Sequence, residues 1–235
     1  MSQTRSIRYR FDLPDGSTRT LAFDFDARDF RMRGSAPADP PFWTKLDFCR
    51  CANCPLDEAR VTHCPAALQM ASTVESLKAL VSFDGIGVTV SDAERTVHVE
   101  TTAQQAMSSV LGLIMATAGC PWTDHLRPMA RFHLPFANEA ETVYRTICMY
   151  LLARELGAAG ELQGFDALED LYRNLHVVNR DMSRRLGAAT KSDPARNAMA
   201  LLDSYTTLLP AALECSLDEL KPLFDAWQSK GFSAI

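Results

Sequence analysis

Two separated stretches of strict alternation constrain this chain more than any other feature. Over residues 6–13, Ile7, Tyr9 and Phe11 alternate with Arg8, Arg10 and Asp12; after Pro14-Asp15-Gly16-Ser17 the pattern resumes with Leu21, Phe23 and Phe25. Successive side chains of a strand point to opposite faces, so one apolar set at a period of two marks a half-buried strand. The Pro-Asp-Gly turn between the two strands makes them a hairpin. Residues 86–90 and 95–100 repeat the arrangement around Ser91-Asp92-Ala93-Glu94. A small antiparallel sheet built from two β-hairpins follows.

The rest of the periodicity is helical. One helix is expected from Pro65 to about Phe83, with Leu68, Val74, Leu77, Leu80 and Val81 as its contacts, and a second from Thr102 to Ala118, ended by Gly119. The segment to Asn138, broken by Pro121, Pro128 and Pro135, reads as irregular. Four further helices are expected at 139–156, 165–187, 194–213 and 217–229. Their start signals are Asn138 with Glu141, Asp193 before Pro194, and Ser216 with Glu219. The fold class is therefore α+β, a small antiparallel sheet with helices followed by a mainly helical C-terminal half. Residues 1–137 form the α+β portion and 138–235 the helical portion, expected to pack together as one compact unit.

Hydrophobic residues make up 47% of the 235, enough for a packed core. A net charge of −5 argues against a general nucleic-acid binder, which needs a surplus of cations to neutralise phosphates. No apolar run follows the arginines of residues 1–11, and the most apolar stretch, 110–118, is too short to span a bilayer. The expected setting is the cytoplasm, with no membrane partner. In a reducing compartment, seven cysteines read as ligands, reactive thiols or small core residues rather than disulfides.

Four of those cysteines, Cys49, Cys51, Cys54 and Cys64, fall within sixteen residues as C-x-C-x2-C-x9-C. Thiolates are soft, charged ligands for zinc and iron, and a C-x2-C turn presents two of them to one centre. Three cysteines precede proline: Cys54-Pro55, Cys64-Pro65 and Cys120-Pro121. A Cys-Pro ending occurs in ferredoxin-type cluster loops. The preferred ligand set is Cys51, Cys54, Cys64 and Cys120, with Cys49 competing for the fourth place and His63 a weaker candidate. The centre is zinc or a 4Fe-4S cluster.

A second region, 119–136, crowds Asp124, His125, Arg127, Arg131 and His133 between prolines. His125, Arg127, Arg131 and His133 can bind a carboxylate or phosphate. The plainer reading is that Arg127 and Arg131 pair with acidic side chains while Trp122, Met129, Phe132 and Phe136 pack as core.

The fragments Cys51-Ala-Asn-Cys54-Pro55-Leu56, Cys64-Pro65-Ala66-Ala67-Leu68 and Gly119-Cys120-Pro121, with the segment from Leu126 to Phe136, resemble an uncharacterised family of bacterial cytoplasmic proteins. The resemblance spans most of the chain and implies a bacterial, cytoplasmic origin, but no activity, cofactor or partner. The residues themselves favour a metal-binding protein with a structural, sensory or regulatory centre. The C-terminal helices would serve self-association or a protein partner. Two rivals stand beside this reading: an enzyme acting on a small anionic substrate through the 119–136 loop, and a thiol-based redox switch at Cys51 and Cys54.

Overall fold

The structure is a computed structural model that describes residues 4–34, 37–157, 164–189 and 193–225, with the backbone alone over 208–219. Strands β1 (Thr4–Asp12) and β2 (Thr18–Asp26) form the first hairpin, and β3 (Gly85–Ser91) and β4 (Thr96–Thr102) the second. β1 also pairs antiparallel with β3, giving the strand order β2-β1-β3-β4. The alternation decides which face is covered. Ile7, Tyr9, Phe11, Phe23, Phe25, Ile86, Val88 and Val90 are buried, while Arg8 and Arg10 face solvent. The first hairpin turns at Gly16, whose φ of 79° is open to glycine without steric cost, and Asp15 accepts the Ser17 amide at 2.9 Å.

Helix α1 (Pro65–Ser76) stops seven residues short of the expected end at Phe83. Leu77 and Leu80 are buried as expected, but on turns rather than on a helix. The reason lies in Asp84 and Ser82. The Asp84 carboxylate accepts the Val81 amide at 2.9 Å, and the carbonyls of Ser82 and Asp84 accept the amides of Gln104 and Ala103 at 3.1 and 2.9 Å. Those bonds satisfy the exposed start of α2 (Ala103–Thr117), which a continued α1 could not do. α2 is apolar on all sides because it lies between the sheet and a C-terminal helix; Val110, Leu111, Leu113, Ile114 and Met115 are all buried.

Part of the segment expected to be irregular is helical: a 3-10 turn (Thr123–Leu126) leads into the short α3 (Arg127–Arg131), with Pro128 in its first turn, where a missing amide costs nothing. α4 (Glu139–Glu155) starts at the expected capping box, the Asn138 side chain accepting the Glu141 amide at 2.9 Å and the Glu141 carboxylate accepting the Asn138 amide at 2.8 Å. α5 (Asp166–Ala189) follows. The two helices expected at 194–213 and 217–229 are one, α6 (Asp193–Leu220), closed by a 3-10 turn over Lys221–Phe224. Residues 211–221 contain no glycine or proline to end it, so the Ser216–Glu219 pattern falls inside a continuous helix. The part of that expectation beyond 225 lies outside the described residues.

One hydrophobic cluster joins the inner face of the sheet to α1, α2, α5 and α6 through Tyr9, Phe11, Val88, Met70, Ile114, Val178, Met182, Leu186 and Met199. A second cluster packs Val143, Ile147 and Tyr150 of α4 against Leu168, Tyr172 and Leu175 of α5. Tyr144, Leu151 and Leu152 of α4 and the following Leu156 are exposed. Among the described residues no helix is long and apolar enough to cross a membrane.

Candidate functional site

Three separated segments meet beside α5. The first is the turn from Cys51 to Cys54, closed by the Cys54 amide on the Cys51 carbonyl at 3.1 Å. Both residues inside that turn are pinned from elsewhere. The Ala52 amide donates to the Asp181 carboxylate at 2.8 Å, and the Asn53 side-chain amide donates to the Asn174 carbonyl and side-chain oxygen at 3.1 and 3.0 Å. The second segment follows α2: the indole of Trp122, two residues beyond Cys120, donates to the Asn53 carbonyl at 2.8 Å. The third is the start of α1, where Cys64 is the N-cap residue before Pro65 and its amide donates to the Thr44 carbonyl at 2.8 Å. Cys64 belongs to the main core, and Cys51, Cys54 and Cys120 pack against it.

The thiols feel one another. Burial pushes the Cys51 thiol up to about 12, and the charges of Cys64, Cys120, Asp181 and Cys54 act in the same direction. Burial also raises Cys64, opposed by the Ala67 amide in the first turn of α1 and by the Arg185 guanidinium. The four cysteines preferred from the sequence thus share one neighbourhood. Cys49 is partly exposed, with a left-handed φ of 46° that leads the chain into the Cys51 turn. Every described cysteine is a free thiol. Among the described residues no three His, Cys, Asp or Glu side chains are grouped tightly enough to hold a metal ion as they stand. His63 turns away to the Thr44 hydroxyl, its Nδ1 at 2.8 Å.

The residue that organises this region escaped the sequence reading. Arg185 is only 1% exposed. Its Nη1 donates to the carbonyls of Trp43 and Lys45 at 2.7 and 2.6 Å, its Nη2 donates to that of Leu46 at 3.3 Å, and its buried Nε has no hydrogen-bond partner. No described carboxylate forms an ion pair with it. A buried guanidinium without a counter-charge is costly, and here the three carbonyls of the 43–46 stretch take up its donors while the nearby Cys64 thiol feels its positive charge. One turn earlier on α5, Asp181 is equally buried, flanked by Arg180 and Arg184 at 3.3 and 3.7 Å. A signal was available: Asp181 and Arg185 are spaced i, i+4 among the core positions Leu175, Val178, Met182 and Leu186, where charges have no place unless used.

The four residues read as an anion site do not converge. The Arg127 Nη1 donates to the Asp29 carbonyl at 3.0 Å, and its guanidinium lies 3.9 Å from the Asp124 carboxylate. Arg131 lies over the rings of Phe30 and Phe132 at 5.7 and 5.3 Å. His125 is exposed and contacts the Trp122 carbonyl. His133 alone turns inward, its Nε2 2.5 Å from the Tyr9 hydroxyl, which in turn is 2.8 Å from the Ser109 hydroxyl. Burial and then the charge of Arg145 push His133 down to about 4, against a weaker pull from Asp92, so its ring is neutral at pH 7.

His133 borders an open cavity of about 470 Å³ lined by α2, α4, α5, α6, the end of β4 and the 123–137 segment. It lies on the other side of α5 from the cysteines: Tyr172, Leu175 and Asn179 line it, while Asn174 and Asp181 hold the Cys51–Cys54 turn.

A family model described as a domain of unknown function, DUF6901, matches residues 7–225. The chain therefore belongs to that family. No curated protein and no solved structure matches it.

Proposed function

We propose that this member of the DUF6901 family carries a cysteine-ligated metal centre, an iron–sulfur cluster on Cys51, Cys54, Cys64 and Cys120, with a structural or sensory role. The observation that carries the reading is the meeting of four thiols from three separated segments next to a buried arginine that has no carboxylate partner. Four thiolates outnumber the positive charge of either a zinc ion or a 4Fe-4S core, so a loaded site is anionic, and Arg185 supplies its counter-charge from inside the protein. One further feature favours the cluster over zinc. Three of the four ligands precede proline, as in ferredoxin-type loops.

When bound, the cluster supplies an electron acceptor or an oxygen-sensitive cross-link. The Cys51–Cys54 turn is held to α5 through Ala52 and Asn53, Trp122 ties the Cys120 segment to that turn, and Arg185 fixes the 43–46 stretch whose Thr44 carbonyl receives the Cys64 amide. The expectation of a contact surface on the C-terminal helices finds its support in the exposed Tyr144, Leu151, Leu152 and Leu156.

Substitution separates ligands from bystanders. Cys54→Ala and Cys120→Ser are expected to lose the metal and, because a structural centre contributes its binding energy to folding, to lower the melting temperature by about 10 °C or more. Cys49→Ser is expected to keep both. Metal analysis and a thermal melt of the three variants read this directly. Loss of metal in Cys49→Ser with retention in Cys120→Ser would reverse the ligand assignment.

A further inference from the structure

The cavity on the far side of α5 carries one arginine with no carboxylate at ion-pair distance among the described residues. Arg145, on α4, lines it; its Nη2 donates to the carbonyls of Met129 and Phe132 at 2.7 and 3.0 Å, bonds that fix the guanidinium against α3. Its Nε and Nη1 make no hydrogen bond to any described residue, and no described carboxylate lies within ion-pair distance. Glu141, one turn earlier, spends its carboxylate on the capping box at Asn138. The other charged residue on the wall, Glu100, sits exposed at the rim, 3.3 Å from His98. Hydroxyls are nearby: Thr142 and Tyr172 share the wall with Arg145, and the Tyr172 hydroxyl is anchored 2.7 Å from that of Thr146. The remainder is largely apolar, with Leu113, Leu126, Met129, Leu175, Leu201 and Leu202 among the lining residues.

We infer that this cavity is a binding site for a small monocarboxylate with an apolar body, its carboxylate at Arg145 and its body among the leucines of α2, α5 and α6. The argument is one of charge and volume. About 470 Å³ falls in the size class of small-molecule sites, roughly 300–1,000 Å³, which combine apolar walls with a few placed polar groups. A single guanidinium with no carboxylate at ion-pair distance matches a single negative charge; a dianion would bring a second charge into an apolar wall with no second cation to meet it. His133, uncharged, adds neither attraction nor repulsion. The sequence offered an anion site near Arg127 and Arg131 beside the plainer reading of paired arginines; those side chains are engaged on the surface, and the available cation is one helix further on. The inference stands apart from the cysteine centre.

Isothermal titration of the protein, purified without oxygen, with decanoate and with decanol as the neutral analogue tests it. Decanoate is expected to bind saturably at one per chain and decanol at least tenfold more weakly. In Arg145→Gln, decanoate is expected to fall to the level of decanol while decanol is unchanged; Arg145→Lys, which keeps the charge, is expected to retain part of the preference. Should Arg145→Gln fail to fold, the wild-type contrast between the two ligands decides alone. Equal binding of decanoate and decanol by the wild type, saturable binding of neither, or an undiminished preference in folded Arg145→Gln would overturn the inference.

Discussion

His133 shows how far burial sets the chemistry of single residues here. Enclosed against Tyr9 and facing Arg145, it holds its proton only below about 4, whereas an ordinary histidine titrates near 6.5. The unfolded chain therefore binds a proton that the folded chain refuses between those two values. Its contribution to stability is complete above pH 6.5, declines as the pH falls from 6.5 to about 4, and is constant below that. The full difference amounts to about 3 kcal/mol. Urea denaturation of the wild type and His133→Gln across pH 4–8 is expected to show the wild type losing this much relative to the variant on acidification. Parallel pH profiles would remove the buried-neutral assignment. Arg185 is the opposite case, a charge kept inside with its donors on three carbonyls. Arg185→Met leaves the carbonyls of Trp43, Lys45 and Leu46 without their donor and is expected to cost about 3 kcal/mol, or roughly 10 °C in melting temperature. Arg185→Lys keeps the charge but not the planar fork, so its melting point should fall between the two.

At the scale of elements, what was legible in the sequence was what local chemistry decides alone. The alternation of Ile7, Tyr9 and Phe11 and the Asn138–Glu141 pair translate into a strand and a capped helix because each pattern is satisfied by its own neighbours. Where distant groups compete for the same atoms, the local reading fails. Leu77 and Leu80 carry helical spacing, yet the carbonyls of Ser82 and Asp84 are taken by α2, and α1 ends early. Ser216 and Glu219 form a valid starting pattern inside a helix that nothing interrupts. The candidate site divides in the same way. Cys51, Cys54, Cys64 and Cys120 stood out because residue type, the C-x2-C spacing and the prolines after the last three mark them in any context. Arg185, Asp181 and Arg145 did not, since a charged residue on a helix is ordinarily solvated, and only the packing shows the first two to be buried and Arg145 to line a cavity.

For the whole molecule, the sheet supplies a floor, α2 a buried spine across it, and α5 a wall with a different chemistry on each side: thiols and a buried guanidinium on one, an apolar cavity with a single cation on the other. A centre on the first side would hold together the loop before α1, the end of α2 and the middle of α5, segments that otherwise meet only through a few hydrogen bonds. Its loss should therefore be felt by the fold and not just by the loop. The most direct measurement is iron, acid-labile sulfide and zinc per chain, taken with the absorption spectrum of protein purified without oxygen. The predicted result is iron and sulfide in equal amounts, about four of each, with a broad band near ~400 nm from thiolate-bound iron. One colourless zinc per chain would keep the thiolate site and contradict the cluster; four titratable thiols with neither metal would contradict the centre itself.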